Sequence, residues 1–495
     1  MDLNYQELLK KAETLKFANK AFINGKLVAA VSGKTFPCIS PRDGKVLTDV
    51  ASCDEKDVNF AVESARKAFN SGVWSNLGAS ERKKTLLKFA DLLEKHALEL
   101  ALLETLDMGK PISNSYNDDI LGAIEKVRWV AEAIDKIYDQ IAPTDPNLMA
   151  LITREPCGVI GCVTPWNFPL YLACSKIMPA IAVGNSVVLK PAEQSPLTTL
   201  KLAELIAEAG IPEGVVNVLP GFGETAGKAI GMHPDIDVVS FTGSTEVGRY
   251  FLRYSAESNM KRIHLECGGK SPNIILADSD LEEAARAACR VFYNQGEVCC
   301  APTRLLVDKK IQQQVISKLN KYSDEFQPGD PLDPKTTMGA MVDETQLKRV
   351  LKYIDKGKKE GAALTKGGNQ VKKESGGYYI EPTIFTDVQN DMLIAREEIF
   401  GPVLTVLSFD NIEEAIKIAN DTHYGLASFL WTNDINKALT TAKALRAGTV
   451  SINTMNTVSP ATPFGGYKQS GMGREGSLED FNNYSETKTT WIGLK

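Results

Sequence analysis

The segment Ser186-Val187-Val188-Leu189-Lys190-Pro191-Ala192-Glu193, with Leu197–Ala209 behind it, decides the fold. Its first four residues form a short, β-branched, nearly all apolar run, the pattern of a strand buried on both faces. The run that follows has helical spacing and stops at Gly210 with Pro212 close behind, chemistry that ends helices. Working outward, Val159–Val163, 215–219 and 237–241 read as further strands, the last two each leading into another helical pattern. This alternation over 158–265 predicts a parallel, doubly wound sheet with right-handed crossovers. Residues 272–470 repeat it, with strands near 273–276, 304–307, 403–408 and 449–453, and predict a second α/β domain. Elsewhere, 1–20 reads as a peripheral helix, and 22–28 as a hairpin turning on Asn24-Gly25. The spacing is helical with polar breaks over 57–106, helical without a break over 118–141, and helical again over 281–292. The Lys/Gly-rich stretch 366–377 reads as an exposed hairpin loop.

Bulk composition narrows the classes. A chain of 495 residues suggests about three domain-sized units. With 24% charged and 43% apolar residues it has the balance of a soluble globular protein. A net charge of −6 gives no electrostatic reason to bind nucleic acid or an anionic membrane. Met1-Asp2-Leu3-Asn4-Tyr5 lacks the layout of a secretion signal, and no uninterrupted apolar stretch is long enough to span a bilayer. Nine cysteines without paired spacing read as thiols of a reducing cytoplasm, not as a disulfide framework. Four histidines, His96, His233, His264 and His423, show no metal-ligand spacing, so no catalytic metal is expected, and a Cys–His hydrolase is disfavoured.

Several segments carry chemistry. Tyr293-Asn294-Gln295-Gly296-Glu297-Val298-Cys299-Cys300-Ala301 presents a cysteine pair after a glycine-containing bend, where a thiolate can reach a carbonyl carbon. His264-Leu265-Glu266-Cys267-Gly268-Gly269-Lys270 puts a carboxylate on an apolar strand, and burial there would raise its pKa toward that of a general base. Pro165-Trp166-Asn167-Phe168-Pro169 offers an amide N–H held in a rigid loop, suited to an oxyanion. For a dinucleotide there are two candidates. Gly221-Phe222-Gly223 with Gly227 is an incomplete glycine fingerprint, whereas Gly243-Ser244-Thr245 opens a helix whose free N–H groups suit a pyrophosphate. Lys190 and Glu193 leave a buried strand where doubly wound sheets bind nucleotides, placed to clasp ribose hydroxyls. Glu193 would repel a 2′-phosphate and so favours NAD over NADP. Each of these also has a plain structural reading as a packed thiol, a paired acid, a turn or a helix cap.

As a set, these motifs resemble the NAD(P)-dependent aldehyde dehydrogenase superfamily. Five of them stand in that family's order, from the hairpin at Phe22 to Pro463-Phe464-Gly465-Gly466-Tyr467-Lys468-Gln469-Ser470-Gly471. The resemblance implies Cys299 as nucleophile, Glu266 as the base that activates water, and Asn167 with the Cys299 backbone N–H as oxyanion donors. It implies cofactor contacts at Lys190, Glu193, Gly243, Ser244, Glu398, Phe400, Trp166 and Gly223. A substrate pocket of Phe168, Asp118, Ser175, Tyr293, Val298, Cys300 and Phe464 follows from it too. Within the superfamily the chain is most similar to bacterial γ-glutamyl-γ-aminobutyraldehyde dehydrogenases of putrescine breakdown. Asp118 would attract an amine-bearing aldehyde at the tunnel mouth. The implied architecture is two Rossmann-like α/β domains with a small β-strand arm. The NAD-binding domain takes 1–137 and 155–266, the catalytic domain 267–472, and the arm 138–154 and 473–495, giving a homodimer or homotetramer.

Three departures qualify the match. Glu297 stands where the family usually has glutamine, two residues before Cys299, and is expected to point away from the sulfur. A thiol pKa above the free-cysteine value would mark the opposite. Ser175 stands where the near relatives have tryptophan, which should widen the pocket, and 454–462 lacks their aspartates. The alternatives are a broad-specificity aldehyde dehydrogenase, a cofactor-independent Cys–Glu esterase, and a protein that kept the fold without turnover. Coenzyme A-acylating relatives lack the water-activating glutamate, so Glu266 favours release of a free acid.

Overall fold

The computed structural model describes residues 4–456 and 458–494. Five parallel strands form the centre of an eight-stranded sheet, in the order Val216–Val218, Ser186–Lys190, Val159–Val163, Val238–Gly243, Arg262–Cys267. The expected strand runs are therefore paired as a doubly wound sheet whose connections reverse direction beside Val159–Val163. All five residues of that strand are buried, as its unbroken apolar sequence requires. The hairpin Ala21–Ile23 and Lys26–Val28 closes one edge, and Gly471–Met472 pairs antiparallel on the other. A second sheet of seven strands runs from Ala363–Lys366 to Thr449–Ile452, parallel except at the first pair. The fold class is α/β, as read from the alternation.

Two expected helices end early. The stretch 118–141 divides into a wide turn of π-helix at Ser115–Ile120, a helix at Leu121–Ala133 and a 3-10 turn at Ile134–Lys136. It then leaves as the strand Gln140–Ala142. A buried ion cluster holds the π turn: Lys110 Nζ donates to Asp119 at 2.5 Å and to Glu104 at 3.4 Å. The run at 281–292 is α-helical only over Leu281–Ala288, then tightens into the 3-10 segment Cys289–Gly296. Inside it Asn294, Gln295 and Gly296 adopt φ of 49°, 54° and 72°. Gly296 is required there, because a Cβ would lie 2.2 Å from the Gly401 carbonyl.

Ser485–Gly493, Leu148–Pro156 and Gln140–Ala142 form a separate three-stranded antiparallel sheet. Tyr138, Ile141 and Trp491 beside or within it are 75%, 68% and 63% exposed, an apolar surface unlike the packed faces of the other sheets. The expected helix over 1–20 is Tyr5–Glu13, with 1–3 outside the described residues. No helix among the described residues is long and apolar enough to cross a membrane.

Candidate active site

The carboxyl ends of Val159–Val163, Ser186–Lys190, Val238–Gly243 and Arg262–Cys267 converge on one cavity of about 810 Å³. The turn carrying Cys299 and the loop carrying Glu398 and Phe400 close it from the second sheet. Every candidate site residue read from the sequence lines this cavity, from Asp118 and Ser175 at one end to Gly223 and Ser244 at the other.

The reacting centre is built on the turn at 294–296. Asn294 Nδ2 donates to the Asn167 carbonyl at 3.1 Å, and Gln295 Oε1 accepts the Gly339 N–H at 3.1 Å, which holds two non-glycine residues left-handed. Cys299 follows, partly exposed to the cavity. The Asn167 side-chain amide donates one N–H to the Glu297 carbonyl at 2.9 Å, leaving the other N–H to face a reacting oxygen. Its carbonyl Oδ1 is buried without a partner. The Cys299 thiol sits well above its ordinary pKa. The hydrogen bond with the Cys300 thiol is the first cause, then burial, then the charges of Cys300, Glu266 and Glu398. The sequence rule that a raised thiol would incriminate Glu297 fails here, because Glu297 does point away and is absent from the cavity wall. Its Oε1 instead accepts the Val342 N–H at 3.1 Å.

Glu266, the penultimate residue of the strand Arg262–Cys267, is buried and its Oε1 has no partner. Burial first, and the charge of Glu475 second, push its pKa well above the carboxylate range, while Lys176 pulls it down. Lys176 Nζ donates to Glu475 at 2.6 Å and to Ser240 Oγ at 3.1 Å. Neither Lys176 nor Glu475 emerged from the sequence reading. Lys176 left one signal, being the only charge in the apolar helix Pro169–Ala182, whereas Glu475 left none. Burial thus dominates the proton affinity of Glu266, and Glu475 and Lys176 adjust it in opposite directions.

A nicotinamide dinucleotide fits the other half of the cavity. Ser244 caps the thirteen-residue helix Thr245–Glu257, its Oγ accepting the Val247 N–H at 3.2 Å, so first-turn N–H groups remain for an anion. Lys190 Nζ lies 3.1 Å from Glu193, a lysine–carboxylate clasp at a strand end. Nothing lies within 4 Å of the space beside Gly223. Glu398 Oε1 accepts the Gly269 N–H at 3.2 Å, an approach that Gly268 permits, since a Cβ there would meet Glu398 at 1.9 Å. Phe400 meets the Trp166 ring edge-on at 5.7 Å.

The substrate end is assembled from helix faces. Lys110 Nζ lies 4.1 Å from the Phe168 ring centre, pinning the ring next to Asn167. Asp118 Oδ2 accepts from the Tyr293 hydroxyl at 2.9 Å and from Asn114 Nδ2 at 3.1 Å. Ser175 is buried beneath Tyr171, and Val298 and Cys300 flank the nucleophile. Phe464 is placed by paired backbone hydrogen bonds with Glu475 at 2.7 and 2.8 Å. Met455, Val458 and Pro460 complete the wall from 454–462, of which residue 457 lies outside the described residues.

Comparison with known proteins agrees over almost the whole length. Residues 27–490 match the model of the aldehyde dehydrogenase family. The NADP/NAD-dependent aldehyde dehydrogenase PuuC of Escherichia coli is 47% identical over 98% of both chains. Among solved structures, the indole-3-acetaldehyde dehydrogenase AldA of P. syringae, in complex with NAD+ and IAA, superposes with a TM-score of 0.99. It is 54% identical, over 99% of this chain and 100% of that one. The γ-glutamyl-γ-aminobutyraldehyde dehydrogenase of Burkholderia cenocepacia gives 0.98 at 51% identity over all of both chains.

Proposed function

The chain belongs to the aldehyde dehydrogenase family, and from that premise we propose that it oxidises amine-bearing aldehydes, ω-amino or γ-glutamylated, to carboxylic acids with NAD. The coarser activity, NAD(P)-dependent aldehyde oxidation, is that of the family. The observation that carries the finer reading is Asp118 at the cavity mouth: both of its hydrogen bonds fall on Oδ2, which leaves Oδ1 for an ammonium group. Similarity to PuuC and to the γ-glutamyl-γ-aminobutyraldehyde dehydrogenase supports it, and a place in polyamine breakdown would follow from it.

In this reading the Cys299 sulfur attacks the aldehyde carbon as its proton passes to solvent water in the cavity. The thiohemiacetal oxyanion is received by the second N–H of Asn167 and the Cys299 backbone N–H. Bound at the cradle of Lys190, Glu193, Ser244 and Glu398, NAD supplies the hydride acceptor. A thioester on Cys299 remains. Glu266, once ionised, takes a proton from water, which attacks the thioester, and the acid departs with Cys299 restored as a thiol. Glu193 favours NAD, since a 2′-phosphate would meet its carboxylate.

Ser175 favours a second reading, a broad-specificity aldehyde dehydrogenase, because a small side chain beneath Tyr171 leaves room for aliphatic and aromatic aldehydes. Steady-state kinetics on γ-glutamyl-γ-aminobutyraldehyde, free aminoaldehydes and simple aliphatic and aromatic aldehydes, with both nucleotides, separate the two. Equal kcat/KM across the panel would reject the amine preference, and turnover without nucleotide would return the esterase reading.

We further propose a cofactor-binding unit of 1–137 and 155–266, a catalytic unit of 267–472 and an arm of 138–154 and 473–495. The arm's exposed Tyr138, Ile141 and Trp491 support pairing into a homodimer or homotetramer. Light scattering on the eluting protein tests this, and a monomer would refute it. Nine cysteines among the described residues that form no disulfide support a cytoplasmic location.

A further inference from the structure

Glu297 takes no part in the steps above, yet it is bonded on two sides. Its side chain is wholly buried, with Oε1 accepting the Val342 N–H at 3.1 Å and Oε2 unpartnered. Its backbone carbonyl accepts the Asn167 amide at 2.9 Å and the Asn294 amide at 3.4 Å. Val342 leads directly into Asp343, which caps the helix Glu344–Lys359 by accepting the Gln346 N–H at 2.7 Å. From that helix Gln346 donates to the Phe400 carbonyl at 2.6 Å, and Arg349 donates to the Glu398 carbonyl at 3.1 Å. One residue thus joins the amide beside the nucleophile to the helix that carries the nucleotide-binding loop.

We infer that Glu297 is a positioning residue whose neutral, protonated carboxyl braces the Asn167 amide and the cysteine turn against the helix behind Glu398 and Phe400. An ionised carboxylate so poorly supplied with donors in a dry interior is strongly disfavoured. Burial and the facing Asp343 carboxylate push its pKa well up. The Val342 N–H, the Gln295 side chain and the more distant Lys110 ammonium pull the other way and do not offset it. A neutral carboxyl has the shape of an amide, so glutamine substitutes for it, whereas a shortened side chain lets the turn and the helix drift apart.

The test compares wild type, Glu297→Gln and Glu297→Ala as full chains. Glu297→Gln is expected to keep kcat and NAD affinity within about twofold near neutral pH. Glu297→Ala is expected to lose about tenfold in kcat and, by quenching of tryptophan fluorescence, about tenfold in NAD affinity, since a small displacement at such a site is costly. The infrared difference between wild type and Glu297→Gln should show one protonated-carboxyl band. Raising the pH should lower wild-type kcat relative to Glu297→Gln as the acid ionises. The inference is overturned by a tenfold loss in Glu297→Gln at neutral pH, by absence of the carboxyl band, or by Glu297→Ala binding NAD and turning over normally. If Glu297→Ala does not fold, the infrared band and the pH-dependent ratio decide alone.

Discussion

Where the nucleotide half of the cavity is made from strand ends and the turns after them, the substrate half is made from helix faces and one long loop. Lys190, Gly243 and Glu266 are placed by the hydrogen-bond register of a parallel sheet, in which Gly243 pairs with Cys267 and Thr242 with Glu266. Asp118 and Ser175 are placed by side-chain packing and buried charge, through the Lys110 cluster and Tyr171. Register fixes an atom to a fraction of an ångström, whereas packing tolerates a change of shape at modest cost. Substitutions in the first half should therefore change whether chemistry occurs. In the second half they should change which molecule undergoes it.

The largest effect belongs to the turn that meets both halves. Cys299→Ser should lower steady-state NADH formation by at least about 10³-fold, since a hydroxyl held near neutral pH is a far weaker nucleophile than sulfur. NAD binding, read by fluorescence quenching, should survive; near-normal turnover would remove the nucleophile from the account. Asn167→Ala should cost about 10²–10³-fold in kcat with KM nearly unchanged, the signature of a donor used only when negative charge develops. A rise in KM alone would instead make Asn167 a substrate-binding group.

Legibility in the sequence divides along the same line. The apolar strand runs and the residues just beyond them could be read, because each rests on local pattern: 186–190, the Asn167 loop, Glu266 and the bend before Cys299. The break that opens the run over 118–141 could not. Its spacing stays helical, and the π turn depends on Lys110 meeting two carboxylates brought from Glu104 and Asp119. The pairing of Lys176 with Glu475 was invisible for a related reason: they meet across 299 residues at 2.6 Å, and neither sits in a motif. The direction of the Glu297 side chain was foreseen. The source of the raised Cys299 pKa was not, since it lies in the neighbouring thiol and in burial.

Smaller effects should sharpen the contrast. Ser175→Trp should lower kcat/KM for aromatic aldehydes by about 10–10²-fold and leave short aliphatic ones nearly untouched, as filling an apolar pocket does. Equal losses on both would place Ser175 on the reacting side. Glu398 gives a pH effect of about tenfold. Burial raises its pKa to about 7 against the Gly269 N–H, Arg349 and Lys270. Below that value the carboxyl is neutral, and above it the carboxylate accepts ribose hydroxyls more strongly. NAD should therefore bind more tightly as pH rises from 6 to 8, and Glu398→Gln should flatten the titration. A slope unchanged in that variant would assign the effect elsewhere.

The smallest effect tests the mouth. Asp118 is exposed and its attraction for an ammonium group is screened, so Asp118→Asn should cost only about threefold in kcat/KM for aminoaldehydes. The loss should shrink as ionic strength rises and vanish for uncharged aldehydes. Tyr293 and Asn114 can still hydrogen-bond an asparagine there, so the wall keeps its shape while losing its charge. A loss that is equal for charged and uncharged aldehydes, or indifferent to salt, would mean that Asp118 shapes the tunnel by packing alone. The substrate half would then select by size, with Ser175 as its main determinant.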